Sequence, residues 1–526
     1  MAMTPWETLC QYPPHDGTLP GLLASRAARD GDRPFLLFGE RTWSWNELRA
    51  AVAAAAAGLA ARGIAAGDRV GVMAPNSDAY VILLFALAQL GAIMVPVNPD
   101  FGVAEARYVL AHAGVAATAV VPATLPVARE ACGPGPWLFG LEGDVRPGLL
   151  DLTGTSPAPN RAAPETTCLT MYTSGTTGFP KGVMHAQKSF VLAGEGFVER
   201  MHLQPDDRLL CILPLYHINA LFYSLGGAVA AGASLVLAPR FSASGFWPLA
   251  ARTGATEVNI IAAVGSILAR RPRSELVPHR LVKVYGAPVA PDVAAAFRDD
   301  FGVPTVIEGY GMTEVPGACN IPFLGPHRIG TMGRAAVHPD RRIRFAELRV
   351  VDDAGRDVPD GETGELLVRT PIAMQGYYRD PEATAAAFRD GWFVTGDLVR
   401  RDADGFYTFV ARKKDIIRRR GENIAGAELD RVIGAHPDVA EAAAVAVPSE
   451  LGEDEILAVV VPRAGAGVTA EGIAAWCAER LAAIKVPRYV AFVDALPHTP
   501  THRVAKFKLK GDPALLARAV DVGRKS

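Results

Sequence analysis

Apolar and polar positions alternate between a helical period and a strand period along most of the chain. An Ala-rich stretch from about Trp45 to Arg62 predicts a helix, and Arg69-Val-Gly-Val-Met-Ala74 predicts a buried strand. The run Ala79 to Val97 is as long as a bilayer span, but Gln89, Gly91 and Pro96 interrupt it. It predicts a buried helix to about Leu90, a stop at Gly91 and a short strand from Ala92 to Val97. Strand signals return at Leu209 to Leu213, Ser234 to Ala238, Glu257 to Ile261 and Lys283 to Tyr285. This rhythm implies βαβ units, largely parallel sheets and two α/β lobes before residue 330.

From about Ile343 the runs shorten and alternate, as in Glu347-Leu-Arg-Val-Val-Asp-Asp353 and Gly364-Glu-Leu-Leu-Val-Arg369, with Gly turns between them. These predict a small antiparallel β unit. Beyond Lys414, strands near Val439 to Val447 and Leu457 to Val461 and a helix near Ala470 to Ala482 form a set long enough to be a domain. The expected fold class is α/β: a large N-terminal domain of two α/β lobes plus a small β unit, followed by a smaller α+β C-terminal domain.

Composition narrows the function classes. The 526 residues are 50% hydrophobic and 21% charged, a globular balance with material for several cores. With 53 basic against 55 acidic residues, nothing global draws the chain to nucleic acid or to an acidic membrane. Cys10, Cys132, Cys168, Cys211, Cys319 and Cys477 are scattered without CxxC spacing, so they read as reduced thiols of a cytoplasmic protein. The opening Met-Ala-Met-Thr-Pro-Trp-Glu has no basic region leading into an apolar run, so no signal peptide is expected.

The chemistry concentrates in three segments. Tyr172-Thr-Ser-Gly-Thr-Thr-Gly-Phe-Pro-Lys-Gly182 follows a strand-like run. Gly175, Gly178 and Gly182 let its backbone turn N–H groups toward one anion, Thr173, Ser174, Thr176 and Thr177 add hydroxyls, and Lys181 adds a cation. It is a phosphate cradle without the Walker A spacing, so an ordinary P-loop NTPase is disfavoured. In Glu308-Gly-Tyr-Gly-Met-Thr-Glu314, Tyr310 suits a purine face, Thr313 a phosphate, and Glu314 a hard oxygen ligand for Mg²⁺. The third segment, Gly391-Trp-Phe-Val-Thr-Gly-Asp397, ends in a carboxylate suited to a ribose diol, and Arg412-Lys-Lys-Asp-Ile-Ile-Arg-Arg-Arg-Gly-Glu-Asn-Ile424 follows it. Each alone has a bland reading as a turn, a cap or a solvated basic edge.

In this order and at these separations, the segments resemble the ANL superfamily of adenylate-forming enzymes, which includes acyl- and aryl-CoA synthetases, the adenylation domains of peptide synthetases, and luciferases. The overall texture is similar to bacterial acyl- and aryl-CoA ligases of the crotonobetaine/carnitine type. The resemblance covers about Thr42 to Lys510. It implies an N-terminal adenylation domain over 1–413, a mobile C-terminal domain over 414–526, and a hinge near Lys414. It places ATP phosphates on the loop from Thr173 to Gly178, adenine at Gly286, Ala287, Pro288 and Tyr310, and further nucleotide contacts at Gly311, Met312 and Thr313. Mg²⁺ falls to Glu314, the ribose to Asp397, and a ribose or phosphate contact to Arg412. His217 falls on the route from the acyl pocket to the thiol, and Gly421 and Glu422 on a loop facing the pantetheine of CoA, with Arg418 to Arg420 open to CoA phosphates. The implied acyl pocket runs along Tyr216 to Tyr223, Ala263 to Ile267, Tyr285 to Gly286, Gly309 to Gly311 and Val315 to Pro316.

One departure matters. Where the superfamily carries Gly-Lys near the C-terminus, this chain has His502 and Arg503, with Lys506 further on. Arg keeps the charge but not the compact ammonium. Either Arg503 serves during adenylation, or Lys506 replaces it, or the substrate is unusual. The main expectation is ATP-dependent activation of a small organic acid, then transfer to CoA or to a free-standing carrier thiol, with a homodimer left open. The rivals are a diazotase-like enzyme that activates nitrite for an aryl amine, and an inactive nucleotide-binding relative.

Overall fold

The computed structural model describes residues 2–152, 154, 156–173, 180–419, 422–448, 454–498, 504–510 and 512–523. The chain divides into two compact units, residues 1–348 with 368–393, and residues 349–367 with 394–526.

The first unit is built on two sheets. A seven-stranded sheet runs in the order 376–377, 181–186, 167–173, 93–97, 69–73, 117–120, 137–140. Its centre is parallel, as βαβ alternation requires, and the hairpin of 167–173 with 181–186 is antiparallel. A nine-stranded sheet runs 334–335, 319–320, 305–310, 283–286, 257–260, 208–211, 234–237, 34–38, 41–44. These are the two expected α/β lobes. One continuous apolar core joins helices such as Trp45–Ala61 and Asp78–Leu90 to both sheets.

Local chemistry explains the boundaries. Ser44 accepts from the Glu47 N–H while Glu47 reaches back, a capping box that starts the Ala-rich helix. The run suspected of bilayer length is a 13-residue helix, Asp78–Leu90, started by Ser77 and ended by Gly91 at φ 69°, followed by the strand Ile93–Val97. Nearly every side chain of that helix is buried, because it lies inside the core and has no polar face to present. Among the described residues no helix is long and apolar enough to cross a membrane.

The expected small β unit is a five-stranded sheet of Glu347–Val351, Thr363–Arg369, Trp392–Arg401 and Phe388–Arg389, with Tyr407–Arg412 on Trp392–Arg401. The C-terminal segment carries a hairpin of Ile416–Arg419 with Glu422–Ala425 and a four-stranded sheet of Val439–Pro448, Asp454–Pro462, Tyr489–Phe492 and Val520–Asp521. Helices Gly426–Gly434 and Ala470–Ala478 share a core with that sheet. The six cysteines are all free thiols, four of them buried.

Candidate nucleotide site

Strand pairing fixes both ends of the glycine-rich loop. Thr173 ends one strand and Lys181 opens the next, and the two are register partners. Ser174, Gly175, Thr176, Thr177 and Gly178 lie outside the described residues. The Lys181 ammonium stands 4.9 Å from the ring centroid of Tyr377, a cation–π contact. Tyr377 reaches it from Gly376–Tyr377, a short strand paired with Lys181–Ala186.

The second segment forms a tight turn at the end of strand Thr305–Tyr310. Met312 and Val315 exchange backbone hydrogen bonds of 3.3 and 3.2 Å, which sets Thr313 and Glu314 at the tip. Gly311 is required by close approach, since a Cβ there would lie 2.4 Å from the Gly317 nitrogen. The Tyr377 hydroxyl donates to Glu314 Oε1 at 3.0 Å, and the Met374 N–H donates to the Glu314 carbonyl at 2.7 Å. Glu314 is only 8% exposed, so this donor offsets part of the cost of burying its charge. One Tyr377 side chain therefore touches two predicted site residues, its ring on Lys181 and its hydroxyl on Glu314.

Gly286, Ala287 and Pro288 leave the neighbouring strand Lys283–Gly286, and Gly286 is register partner of Glu308. A Cβ on Gly286 would come within 2.4 Å of Val289. Glu308 accepts from the Gly330 N–H at 2.9 Å, and burial pushes its carboxyl up to about 7 against the opposing pull of backbone donors from Gly330 and Val289. Tyr310 ends its strand half-buried.

His217 is half-buried, its N–H on the Pro214 carbonyl and its ring 4.6 Å from that of Tyr216. It leads into a π-helical turn, Asn219–Leu225. Of the aromatics expected in the acyl pocket, Phe222 is core: it packs edge-on against His185 and Phe190. Tyr223 stacks on Phe197 and meets Tyr285 edge-on. The guanidinium of buried Arg200 lies 5.0 and 5.2 Å from the Tyr223 and Tyr285 ring centroids and donates to the Gly317 carbonyl at 3.1 Å.

In the second unit, Asp397 and Arg412 are cross-strand partners, with Arg412 Nε 3.6 Å from Asp397 Oδ1. Lys413 bridges Asp353 and Glu365, and Lys414 is pulled below the usual lysine range, first by burial and then by Arg412. Glu422 is exposed on the strand opposite Arg419, and Gly421 lies outside the described residues. Arg419 is buried, paired with Glu455 at 2.7 Å and donating to the Ile484 and Val486 carbonyls, so it is a structural tie and not a free phosphate contact. Lys506 is similarly engaged: its Nζ lies 2.5 Å from Asp430 and 3.0 Å from the Ala444 carbonyl. Arg503 lies outside the described residues.

Among the described residues no three His, Cys, Asp or Glu side chains form a metal cage. Mg²⁺ in nucleotide sites is commonly held by one or two carboxylates plus substrate phosphates, so a single buried carboxylate at Glu314 fits that ion.

Comparison with known families decides what this arrangement belongs to. The model of the AMP-binding enzyme family matches residues 23–378, and that of the AMP-binding enzyme C-terminal domain matches 428–503. The chain belongs to the AMP-binding enzyme family. This AMP-binding enzyme is 35% identical over 510 residues to sulfoacetate–CoA ligase of Cupriavidus necator, covering 94% of this chain and 97% of the relative. It is 33% identical to indoleacetate–CoA ligase of Aromatoleum aromaticum, covering 94% and 95%. Its structure is similar to that of the anthranilate CoA ligase AuaEII with anthranoyl-AMP, at TM-score 0.84 and 26% identity over 97% and 99% of the two chains. It is similar also to o-succinylbenzoate CoA synthetase of Bacillus subtilis in complex with its acyl-adenylate intermediate, at TM-score 0.82 and 26% identity over 93% and 98%.

Sequence reasoning about this AMP-binding enzyme missed Tyr377, His185 and Arg200. Tyr377 lies in Met374-Gln-Gly-Tyr-Tyr378, where a glycine beside tyrosines after an apolar run was the available signal. His185 and Arg200 carry no local signal, since each acts on a residue far along the chain.

Proposed function

We propose that this AMP-binding enzyme activates a small organic acid with ATP, releases pyrophosphate, and transfers the acyl group to CoA. The observation that carries the reading is the Tyr377 bridge, which ties the strand of Lys181 to the turn that presents Thr313 and Glu314. In the first half-reaction a carboxylate oxygen attacks the α-phosphorus and the bond to the β-phosphate oxygen breaks. The pyrophosphate leaves with that electron pair, and an acyl adenylate remains. Lys181 and the 173–178 loop hold the leaving phosphates, Thr313 donates to a phosphate oxygen, and Tyr310 covers the adenine. Glu314 holds Mg²⁺, which when bound neutralises phosphate charge. Asp397 accepts from the ribose hydroxyls and Arg412 supports it.

Lys506 is occupied by Asp430 and Ala444, which favours Arg503 as the cation of the adenylation step. In the second half-reaction the CoA thiol, deprotonated, attacks the carbonyl carbon and AMP departs with the C–O electron pair. Rotation near Lys414 brings the strand Glu422–Ala425 to the pantetheine, and His217 lines its route. Tyr223 and Tyr285, two residues of the expected acyl pocket, pack against each other and against Arg200, which supports a small acid as the substrate. The scattered free cysteines and the need for ATP and CoA support a cytoplasmic location. The relatives are named as acid–CoA ligases, which gives the nitrite and inactive readings no support. The test is pyrophosphate release on a panel of carboxylic acids with and without CoA, beside the Glu314→Gln variant. Turnover on nitrite plus an aryl amine but on no acid would overturn the proposal.

A further inference from the structure

His185 lies on the strand Lys181–Ala186 with its side chain fully buried. Its Nε2 is 2.7 Å from the carbonyl oxygen of Thr313. A carbonyl only accepts, so Nε2 carries the proton and donates. Nδ1 has no partner among the described residues, and the ring stands edge-on to Phe222 with centroids 5.1 Å apart. Burial pulls the ring down to about 4 against the opposing effect of the Thr313 bond, so it is neutral at working pH. A residue serving packing alone here would be apolar, because an orphaned buried nitrogen carries a desolvation cost that Leu avoids. What offsets that cost, among the described residues, is the side-chain bond from His185 to the Thr313 carbonyl.

That bond falls on the peptide between Thr313 and Glu314. A peptide is planar, so holding its carbonyl fixes the plane from which both residues project. The next carbonyl, that of Glu314, is held by Met374 at 2.7 Å, and the adjoining strand Gly376–Tyr377 pairs with the strand of His185. The turn is thus gripped at two successive carbonyls, and the strand that grips the first begins at Lys181.

We propose that His185 is a positioning residue for adenylation: its Nε2–H fixes the Thr313 carbonyl and thereby the aim of the Thr313 hydroxyl and the Glu314 carboxylate at the nucleotide phosphates. The inference rests on the proposed roles of Thr313 and Glu314. It assigns His185 to the first half-reaction and not to thiol transfer.

The test compares His185→Leu, which fills the space without a donor, with His185→Gln, which restores one. Sulfoacetate, indoleacetate, anthranilate and o-succinylbenzoate are the acids, and the synthetic adenylate of whichever turns over fastest serves the second step. The readouts are ATP–pyrophosphate exchange, thioester formation from the supplied adenylate, calorimetric binding of ATP with Mg²⁺, and urea unfolding. His185→Leu is expected to lower kcat/KM for ATP in exchange and to weaken ATP binding, each by about tenfold, the loss of one well-placed hydrogen bond. Thioester formation from the adenylate and the unfolding midpoint should hold, and His185→Gln should recover most of the exchange. Exchange within about twofold of wild type in His185→Leu overturns the inference, as does an equal fall in both half-reactions with no rescue by Gln. Glu314→Gln separates the two levels: if it leaves exchange intact the site assignment itself fails, and if it abolishes exchange while His185→Leu does not, only the role of His185 fails.

Discussion

Replacing Tyr377 by Phe removes one oxygen and leaves the ring beneath Lys181. The lost bond is 3.0 Å long and ends on a carboxylate that is 8% exposed. Burial, then the Glu314 charge, raises the Tyr377 pKa far above the usual phenol range, so the hydroxyl is a proton donor at any working pH. A hydrogen bond to a buried charge contributes about 1.5–3 kcal/mol, and each 1.4 kcal/mol is a factor of ten, so kcat/KM for ATP should fall about 10- to 150-fold. Tyr377→Leu also removes the contact with Lys181 and should lose about another 0.5–1 kcal/mol. The assay is pyrophosphate release against ATP concentration at saturating acid, with thermal unfolding in parallel. In a Glu314→Gln background, Tyr377→Phe should add little, because both changes act on one bond. A Phe variant within about twofold of wild type, at unchanged stability, would refute the bridge as a catalytic device.

Three further outcomes follow from the same reasoning. The Glu308 carboxyl stands near 7 when folded against 4.5 as its ordinary value, so its contribution to stability is present below about pH 4.5 and is lost as pH rises through 7. Glu308→Gln should therefore gain up to about 3 kcal/mol over wild type in urea unfolding at pH 8 and little at pH 4.5, and an equal difference at both would sink the assignment. Lys506→Met should destabilise the C-terminal segment by about 3 kcal/mol, leaving Asp430, among the described residues, with the Ala444 N–H alone, while the folded fraction still releases pyrophosphate. Unchanged stability with abolished pyrophosphate release would make Lys506 the adenylation cation instead. Glu195 is buried, which would raise it, yet the His15 and His338 N–H groups hold it at about 2, so its contribution is present above about pH 4.5 and fades as pH falls toward 2. His338→Ala should cost about 1.5–3 kcal/mol at pH 7 and much less at pH 2, read by urea unfolding at each pH.

The fold was legible where a pattern belongs to one element. The helix Asp78–Leu90 with its Gly91 stop and the strand Ile93–Val97 were readable because apolar period and cap lie within a few residues. The turn of Thr313 and Glu314 was readable for the same reason, its glycines and hydroxyl standing together. Tyr377 and His185 were not, because their partners are 63 and 128 residues away and meet them only once strand register is set. The basic run at 418–420 looked like a phosphate contact because the sequence cannot show Glu455 arriving beside Arg419 on another strand. Lys506 looked like a spare cation until Asp430 and Ala444 closed on it. Pairing between distant charges is a tertiary property, and charge runs read alone overstate what is free to bind a ligand.

The central claim is that a carboxylate attacks the α-phosphate of ATP before CoA attacks the acyl carbon. The direct measurement is mass spectrometry of the AMP formed from an acid labelled with ¹⁸O in its carboxylate, in the presence of ATP and CoA. The account predicts one labelled oxygen in each AMP, carried there by the acyl–phosphate bond, with the acyl group recovered as a CoA thioester. AMP without label, or label found instead in inorganic phosphate beside ADP, would contradict it.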